Sequence, residues 1–451
     1  MSKIVVIGGV AAGTSAASQA KRRMPDAEVI LLERGPFVSY GACGIPYNLQ
    51  DAAKPIEALV AIGADRFRVE RHVDVRLRQE VVALDASRKR LLVRDLANSR
   101  EYELDYDHLV ISTGAQPTRL PISGHDLPGV FLLRELTDGA RLKRYLAECA
   151  PKSAAIVGAG YIGMELAETL RARGLGVRVF EKGPAAVPGF DPAIAELVAA
   201  ELTDHEVALE TGIELKAIER AKSASAALTL HTDRGHFDAD LVLIAIGVRP
   251  NVSVAQAAGV KLGESGAIAV DDRQRTNLDG VWAAGDCAEA RHVVSGRQVW
   301  IPLGTTANKQ GKIAGANAVG ADERFGGVVG TAAFKVFDLE VARTGLGPSE
   351  LERSSTPFVR SQSTQPSRAA SVSGGQPIRT VLFSSPEGRL LGAQMAGRDG
   401  VALRIDVLAT ALHAGMTVQQ LESLDLAYAP PFAPVYDPIL IAATVAKKAL
   451  R

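Results

Sequence analysis

A glycine-rich turn between a short apolar strand and a helix occurs twice in this chain, 150 residues apart. In the first copy Ile4-Val5-Val6-Ile7 runs into Gly8-Gly9-Val10-Ala11-Ala12-Gly13. A β-branched run without alternation predicts a buried parallel strand at 4–7, and a helix is expected over 14–23. A second strand is expected at 28–32, ending at Glu33, twenty residues after Gly13. In the second copy Ala154-Ala155-Ile156-Val157 precedes Gly158-Ala159-Gly160-Tyr161-Ile162-Gly163, with a helix expected over 164–173 and a strand over 177–180. That strand ends at Glu181, eighteen residues after Gly163.

The first glycine of such a turn permits the sharp reversal, and the last lets the helix pack against the strand. Free amides and the positive end of the helix dipole then face a pyrophosphate. The acid ending the second strand accepts hydrogen bonds from a ribose diol. One such pattern is often only a turn, but two copies in strand–turn–helix–strand context, each with its acid, specify two dinucleotide sites. The first copy departs at its middle position, where Val10 replaces a glycine. Two apolar runs, 108–114 and 241–247, read as closing strands that end at Gly114 and Gly247. A third run, 280–286, ends at Gly285-Asp286, a carboxylate suited to polyol hydroxyls.

A length of 451 residues suggests about three domains. The 51 basic and 51 acidic residues cancel, so no field of one sign recruits nucleic acid or an anionic membrane, and neither is an expected partner. No apolar run approaches the roughly 20 residues that span a bilayer, and no secretory leader is read at the N-terminus. Cys43, Cys149 and Cys287 form no CxxC pair, which suits a reducing compartment, and cytoplasm is expected. No metal-ligand set is assigned. Residues 353–377, rich in Ser, Gln, Pro and Gly, read as a long loop before a strand at 380–383 and a helix over 401–412.

Further segments carry a resemblance: Ser39-Tyr40-Gly41-Ala42-Cys43-Gly44-Ile45-Pro46-Tyr47, Ser112-Thr113-Gly114-Ala115, Ala284-Gly285-Asp286, 302–309 and 424–431. With both turns, they make the whole chain resemble the flavin disulfide reductases, in the branch of coenzyme A disulfide reductase, NADH oxidase and peroxidase, and persulfide reductase. The resemblance implies an α/β fold with two Rossmann-like dinucleotide-binding domains and a C-terminal α+β dimerisation domain. FAD is expected in a discontinuous domain, 1–114 and 248–322, NAD(P)H in an inserted domain, 115–247, and a homodimer interface in 323–451. Cofactor contacts are implied at Gly8, Gly9, Ala12, Gly13, Glu33, Arg34, Ser39, Thr113, Gly114, Gly158, Gly160, Tyr161, Ile162, Gly163, Glu165, Glu181, Gly247, Gly285, Asp286, Thr305 and Ala307.

The same resemblance makes Cys43 the redox centre. Relatives with two cysteines there close an internal disulfide, whereas positions 38–48 here hold only one. Cys43 is therefore expected to form a mixed disulfide with a small thiol, a persulfide or a sulfenic acid. Each route needs a thiolate, and a helix N-terminus and the flavin are expected to depress the thiol's pKa. Cys149 and Cys287 read as structural. Lys21, Arg22 and Arg23 match a segment that contacts coenzyme A phosphates in relatives, and Tyr428 matches a tyrosine brought in by the partner subunit. The chain departs from the coenzyme A disulfide reductases at Ala42, commonly asparagine, and at 368–375, where a tyrosine is missing. A different disulfide or persulfide therefore stays open as acceptor.

Two other readings stand beside this one: an NADH oxidase cycling through Cys43 sulfenic acid, and a flavin-dependent redox sensor without turnover. The peroxidase variant would want a histidine that 8–23 lacks. For the donor, the Glu181 carboxylate would repel a 2′-phosphate and predicts NADH over NADPH, with Arg178 and Lys182 near enough to blunt the preference.

Overall fold

The computed structural model describes residues 2–222 and 226–450. Lys3–Ile7 forms the middle of a five-stranded parallel sheet, flanked by Glu28–Glu33 and then Asp74–Leu77 on one side, and by His108–Ile111 and then Val281–Ala283 on the other. Ile4, Val5 and Val6 are wholly buried, which explains why their side chains do not alternate in polarity. The second sheet repeats the plan. Ser153–Val157 is flanked by Gly176–Glu181 and Ala208–Thr211, and by Leu241–Ile244 and Val130–Leu132. Each sheet carries a three-stranded antiparallel meander, residues 79–105 in the first and 215–239 in the second. In both, strand order reverses at the strand feeding the glycine turn, so a crevice opens at its C-terminal end.

The helices begin earlier than the sequence suggests, at Ala11–Arg23 and Tyr161–Ala172, one residue past the middle position of each turn. The close approach is visible in the glycines. A Cβ at Gly13 would lie 1.8 Å from the Gly8 carbonyl oxygen, and one at Gly163 would lie 2.1 Å from that of Gly158. Gly8 and Gly158 turn the chain at φ +97° and +106°. At Gly160, by contrast, an added Cβ meets nothing within 4 Å. The protein itself therefore makes no steric demand for glycine at the middle position, and Val10 sits there with φ −101°.

Val281–Ala283 returns the chain to the first sheet, and the helix Gly304–Asn317 then packs along Ala11–Arg23. The two helices touch through small residues: a Cβ at Gly311 would lie 2.2 Å from the Ala12 carbonyl oxygen, and at Gly315 2.1 Å from that of Ala16. The C-terminal part is an antiparallel sheet in the order Ala332–Val336, Leu339–Gly345, Leu390–Gly397, Pro377–Ser384, Val359–Pro366. Val401–His413 and Pro438–Ala449 cover it. The loop expected over 353–377 is therefore corrected, since Val359–Pro366 is an edge strand paired with Pro377–Ser384. Its polar, half-exposed sequence is that of an edge strand and gives no apolar signal.

Gly311→Ala is expected to destabilise the protein by about 1–3 kcal/mol through overpacking, with a lower urea midpoint. A substitution of Gly160, which has open space before it, should leave that midpoint unchanged.

Candidate active site

At the mouth of each crevice the terminal acid grips the glycine turn. Glu33 accepts the Gly9 and Gly35 amides, both at 2.6 Å. Glu181 accepts the Ala159 amide at 2.8 Å and the Gly183 amide at 2.7 Å. The repeat is thus kept down to individual hydrogen bonds. Burial pushes the Glu33 carboxyl above its usual range, against the pull of the two amides.

Around the first turn, Ser39 holds a left-handed φ of +51° and is tied by its amide to the Gly9 carbonyl at 2.8 Å. The Thr113 hydroxyl donates to the Asn251 carbonyl at 2.6 Å, and Gly114 turns at φ +69°. Gly285, at φ +81°, leaves no room for a side chain, because a Cβ there would lie 2.7 Å from that of Ala12 and 3.4 Å from that of Ala307. Ala307 and Thr305 open the helix Gly304–Asn317, and Ala307 is buried. Asp286 pairs with Arg134 at 2.7 Å, and Arg34 with Glu135 at 2.5 Å. The structure thus brings Gly8, Gly9, Ala12, Gly13, Glu33, Ser39, Ala307 and Gly285 around one turn. Arg134 went unnoticed in the sequence, since its partner lies 152 residues away.

The second crevice is a cleft of about 580 Å³ lined by Gly158, Gly160, Tyr161, Ile162, Glu181 and Gly247, together with Lys182 and Glu214. Gly163 and Glu165 do not line it. Gly163 closes the helix onto the strand, and Glu165 faces elsewhere. Tyr161 stacks on Phe334 of the C-terminal sheet, with centroids 4.8 Å apart.

Cys43 lies in a single helical turn, Ala42–Gly44, that runs directly into the helix Ile45–Gln50. Tyr47 follows one turn later, and residues four apart share a helix face. The Tyr47 hydroxyl donates to Glu165 Oε1 at 2.9 Å. Glu165 stands on the second turn of Tyr161–Ala172, so the cysteine turn and the second nucleotide fold meet at this hydrogen bond. Next to it, Glu168 accepts from Lys335 and, at 3.0 Å, from the Phe337 amide. The sequence shows Tyr47 at the end of the Cys43 segment but gives it no role, although its spacing from Cys43 is a usable signal.

Cys43 is an exposed residue, yet protein crowds its thiol enough to raise the pKa. Burial acts first and the Glu165 charge second, while Arg134 pulls the other way. The expected depression is therefore not supplied by the polypeptide. The helix after Cys43 is only six residues long, and the charge that acts on the thiol most strongly is the Glu165 anion. Burial likewise raises the Glu165 carboxyl, with the Tyr47 hydrogen bond opposing it. Cys149 is exposed at the end of Leu136–Cys149, and Cys287 is fully buried with its thiol donating to the Ala284 and Ile111 carbonyls.

Lys21, Arg22 and Arg23 sit in the last turn of Ala11–Arg23. Lys21 donates to the Ala27 carbonyl at 2.7 Å, Arg22 to Gln19 at 2.9 Å, and Arg23 pairs with Glu323. None of these contacts reaches Cys43. Tyr428 is 51% exposed within a run of exposed apolar residues that includes Phe432, Val435 and Tyr436, and no hydrogen bond joins it to Cys43. Glu201, His205 and Asp338 are the one group with metal-ligand spacing among the described residues. Arg398 already pairs with Glu201 and Asp338, so the negative charge there is met.

Against known proteins, the profile of the pyridine nucleotide-disulphide oxidoreductase family matches residues 2–311, and that family's dimerisation domain matches residues 331–438. The chain belongs to this family. It is 37% identical to the NAD(P)H coenzyme A polysulfide/persulfide reductase of Pyrococcus horikoshii, over 99% of this chain and 98% of that one. It is 33% identical to an NADH oxidase of Methanocaldococcus jannaschii, over 99% of both. The solved NAD-dependent persulfide reductase from A. fulgidus superposes with a TM-score of 0.94 at 36% identity, covering 99% of this chain and 83% of that one. No helix among the described residues is long and apolar enough to cross a membrane.

Glu165→Gln is expected to lower the pKa of Cys43, because it removes the anion that disfavours the thiolate. The rate of iodoacetamide alkylation against pH, measured in a Cys149→Ser background, reads this directly. In flavin-free protein the wild-type midpoint should lie above that of a free cysteine, and the Gln variant's below the wild type's.

Proposed function

We propose that the chain is an FAD-dependent NADH oxidoreductase that reduces a small-molecule disulfide or persulfide through Cys43. The observation that carries this reading is the Tyr47–Glu165 hydrogen bond, which sets an exposed cysteine where the cysteine turn meets the helix of the second nucleotide fold. Relatives across the full length that are named for persulfide and polysulfide reduction support it.

We assign FAD to 1–114 and 248–322, the nicotinamide coenzyme to 115–247, and the homodimer interface to 323–451. The first turn fits FAD on steric grounds: Gly13 and Gly285 each stand where a Cβ would strike a neighbour, which holds the helix N-terminus against the turn. There the amides that open Ala11–Arg23 would receive the pyrophosphate, Glu33 the ribose, and Asp286 the ribityl chain. Arg34, Ser39, Thr113, Gly114, Thr305 and Ala307 would complete the enclosure. FAD supplies the means of taking a hydride from the nicotinamide and delivering its electron pair to sulfur.

The residues of the chain do the rest. The Cys43 thiolate attacks the S–S bond of R–S–S–R, forming Cys43–S–S–R and releasing RS⁻, which leaves as RSH after taking up a proton. The electron pair from NADH then breaks the new bond and returns the thiolate and the second thiol. With a persulfide the products are RSH and hydrogen sulfide. Glu165, whose affinity for a proton is raised, and Tyr47, its hydrogen-bond partner, are the titratable groups that the fold sets near the cysteine turn. Lys21, Arg22 and Arg23 offer an anionic end of the substrate a site about 18 Å along the helix from its start, which suits a long thiol such as coenzyme A. Tyr428, in the exposed segment, would come to the site from the partner subunit.

The second reading, NADH oxidation by oxygen, draws on the M. jannaschii relative and on the exposed cysteine. An acceptor panel separates the two: coenzyme A disulfide and persulfide, glutathione disulfide and persulfide, polysulfide, and oxygen. Cys43→Ser is expected to keep NADH-dependent flavin reduction while losing at least about 10²-fold in disulfide or persulfide turnover. Turnover at the wild-type rate would remove the thiol from the mechanism.

A further inference from the structure

Two cations flank the acid of the second nucleotide fold, Arg178 three residues before Glu181 and Lys182 just after it. Either could receive the 2′-phosphate that distinguishes NADPH from NADH. In the folded protein neither is free. Arg178 pairs with Glu210 and lies 5.1 Å over the Phe237 ring. The Lys182 ammonium donates to Glu214 Oε1 at 2.8 Å, and the other oxygen of Glu214 is held by Lys216.

The backbone fixes this arrangement. The Gly212 amide donates to the Gly183 carbonyl at 2.8 Å, and the Ile213 amide to the Glu181 carbonyl at 3.1 Å. The segment after Ala208–Thr211 is therefore laced to the end of Gly176–Glu181. The Glu214 amide is itself tied to Asp233 Oδ1 at 2.9 Å. Glu181, Lys182 and Glu214 consequently line one cleft. The two lysines lower the Glu214 pKa to about 2, so its carboxylate is charged throughout the physiological range.

We propose that Glu214 is a coenzyme-specificity residue: it occupies the ammonium groups of Lys182 and Lys216 that would otherwise take a 2′-phosphate. Discrimination against NADPH then comes from two carboxylates on different elements, Glu181 beside the ribose and Glu214 across the cleft. A phosphate monoester brings close to two negative charges. It meets Glu181 head on and finds the nearest cations already paired with carboxylates. These groups are partly or largely exposed, so the effect is modest and weakens as salt rises. The inference rests on the reading of this cleft as the site for the adenosine end of the coenzyme.

The test uses the holoenzyme as wild type, Glu214→Gln, Glu181→Gln, Lys182→Ala and the Lys182→Ala/Glu214→Gln double variant. kcat/KM is measured for both coenzymes, and binding of 2′,5′-ADP and 5′-AMP by calorimetry. Glu214→Gln should raise the NADPH-to-NADH ratio of kcat/KM about fivefold at low salt, mainly through KM for NADPH. It should tighten 2′,5′-ADP relative to 5′-AMP by a similar factor, and 0.5 M salt should erase much of both gains. The double variant should lose the gain, and Lys182→Ala alone should leave the ratio where it is, since that ammonium is already taken. The proposal is overturned if Glu214→Gln shifts neither the ratio nor 2′,5′-ADP binding, or changes both coenzymes alike. A marked fall in NADPH use in Lys182→Ala would also overturn it. A wild type that binds neither 5′-AMP nor 2′,5′-ADP would instead overturn the reading of the cleft.

Discussion

Both nucleotide folds depend on a helix that starts in contact with the strand before it. Only a residue without a Cβ fits at Gly13 and Gly163, and each terminal acid then holds the turn through two backbone amides. This geometry leaves the next amides pointing outward at the positive end of a helix dipole, which is what a pyrophosphate requires. The same constraint extends to the third contact layer. Gly285, Gly311 and Gly315 let the helix Gly304–Asn317 lie directly on the first one, so residues almost 300 positions apart enclose a single site.

The second consequence is where the thiol falls. A short turn carries Cys43 and Tyr47 on one face, and Tyr47 reaches across 118 residues to Glu165. The acid is close enough to disfavour a thiolate, and Arg134 is close enough to oppose it. Burial first, and the Glu165 charge second, thus favour the thiol form of Cys43 over the thiolate.

How far the sequence revealed this depended on the range of each interaction. The two turns, their strands and their acids were legible because each is a local pattern under thirty-five residues long, and both sheets carry them in the same order. The helix starts were misjudged by three residues because their caps are backbone turns that lack a capping side chain. Val359–Pro366 was read as loop because an edge strand needs no apolar face. Arg134 beside Asp286 and Glu214 beside Lys182 were out of reach, since only the folded chain sets those pairs side by side. The upward push on the Cys43 thiol was equally out of reach, since burial, its first cause, and the Glu165 charge, its second, both arise only in the folded chain.

The central claim is that electrons from NADH end on the sulfur of Cys43. Its most direct measurement is an anaerobic titration of enzyme whose Cys43 has first been converted to a mixed disulfide with a small thiol, following flavin absorbance and free thiol together. The account predicts two equivalents of NADH per flavin, the first releasing one small thiol without lasting bleaching and the second bleaching the flavin. A single equivalent that bleaches the flavin at once and releases no thiol would contradict it.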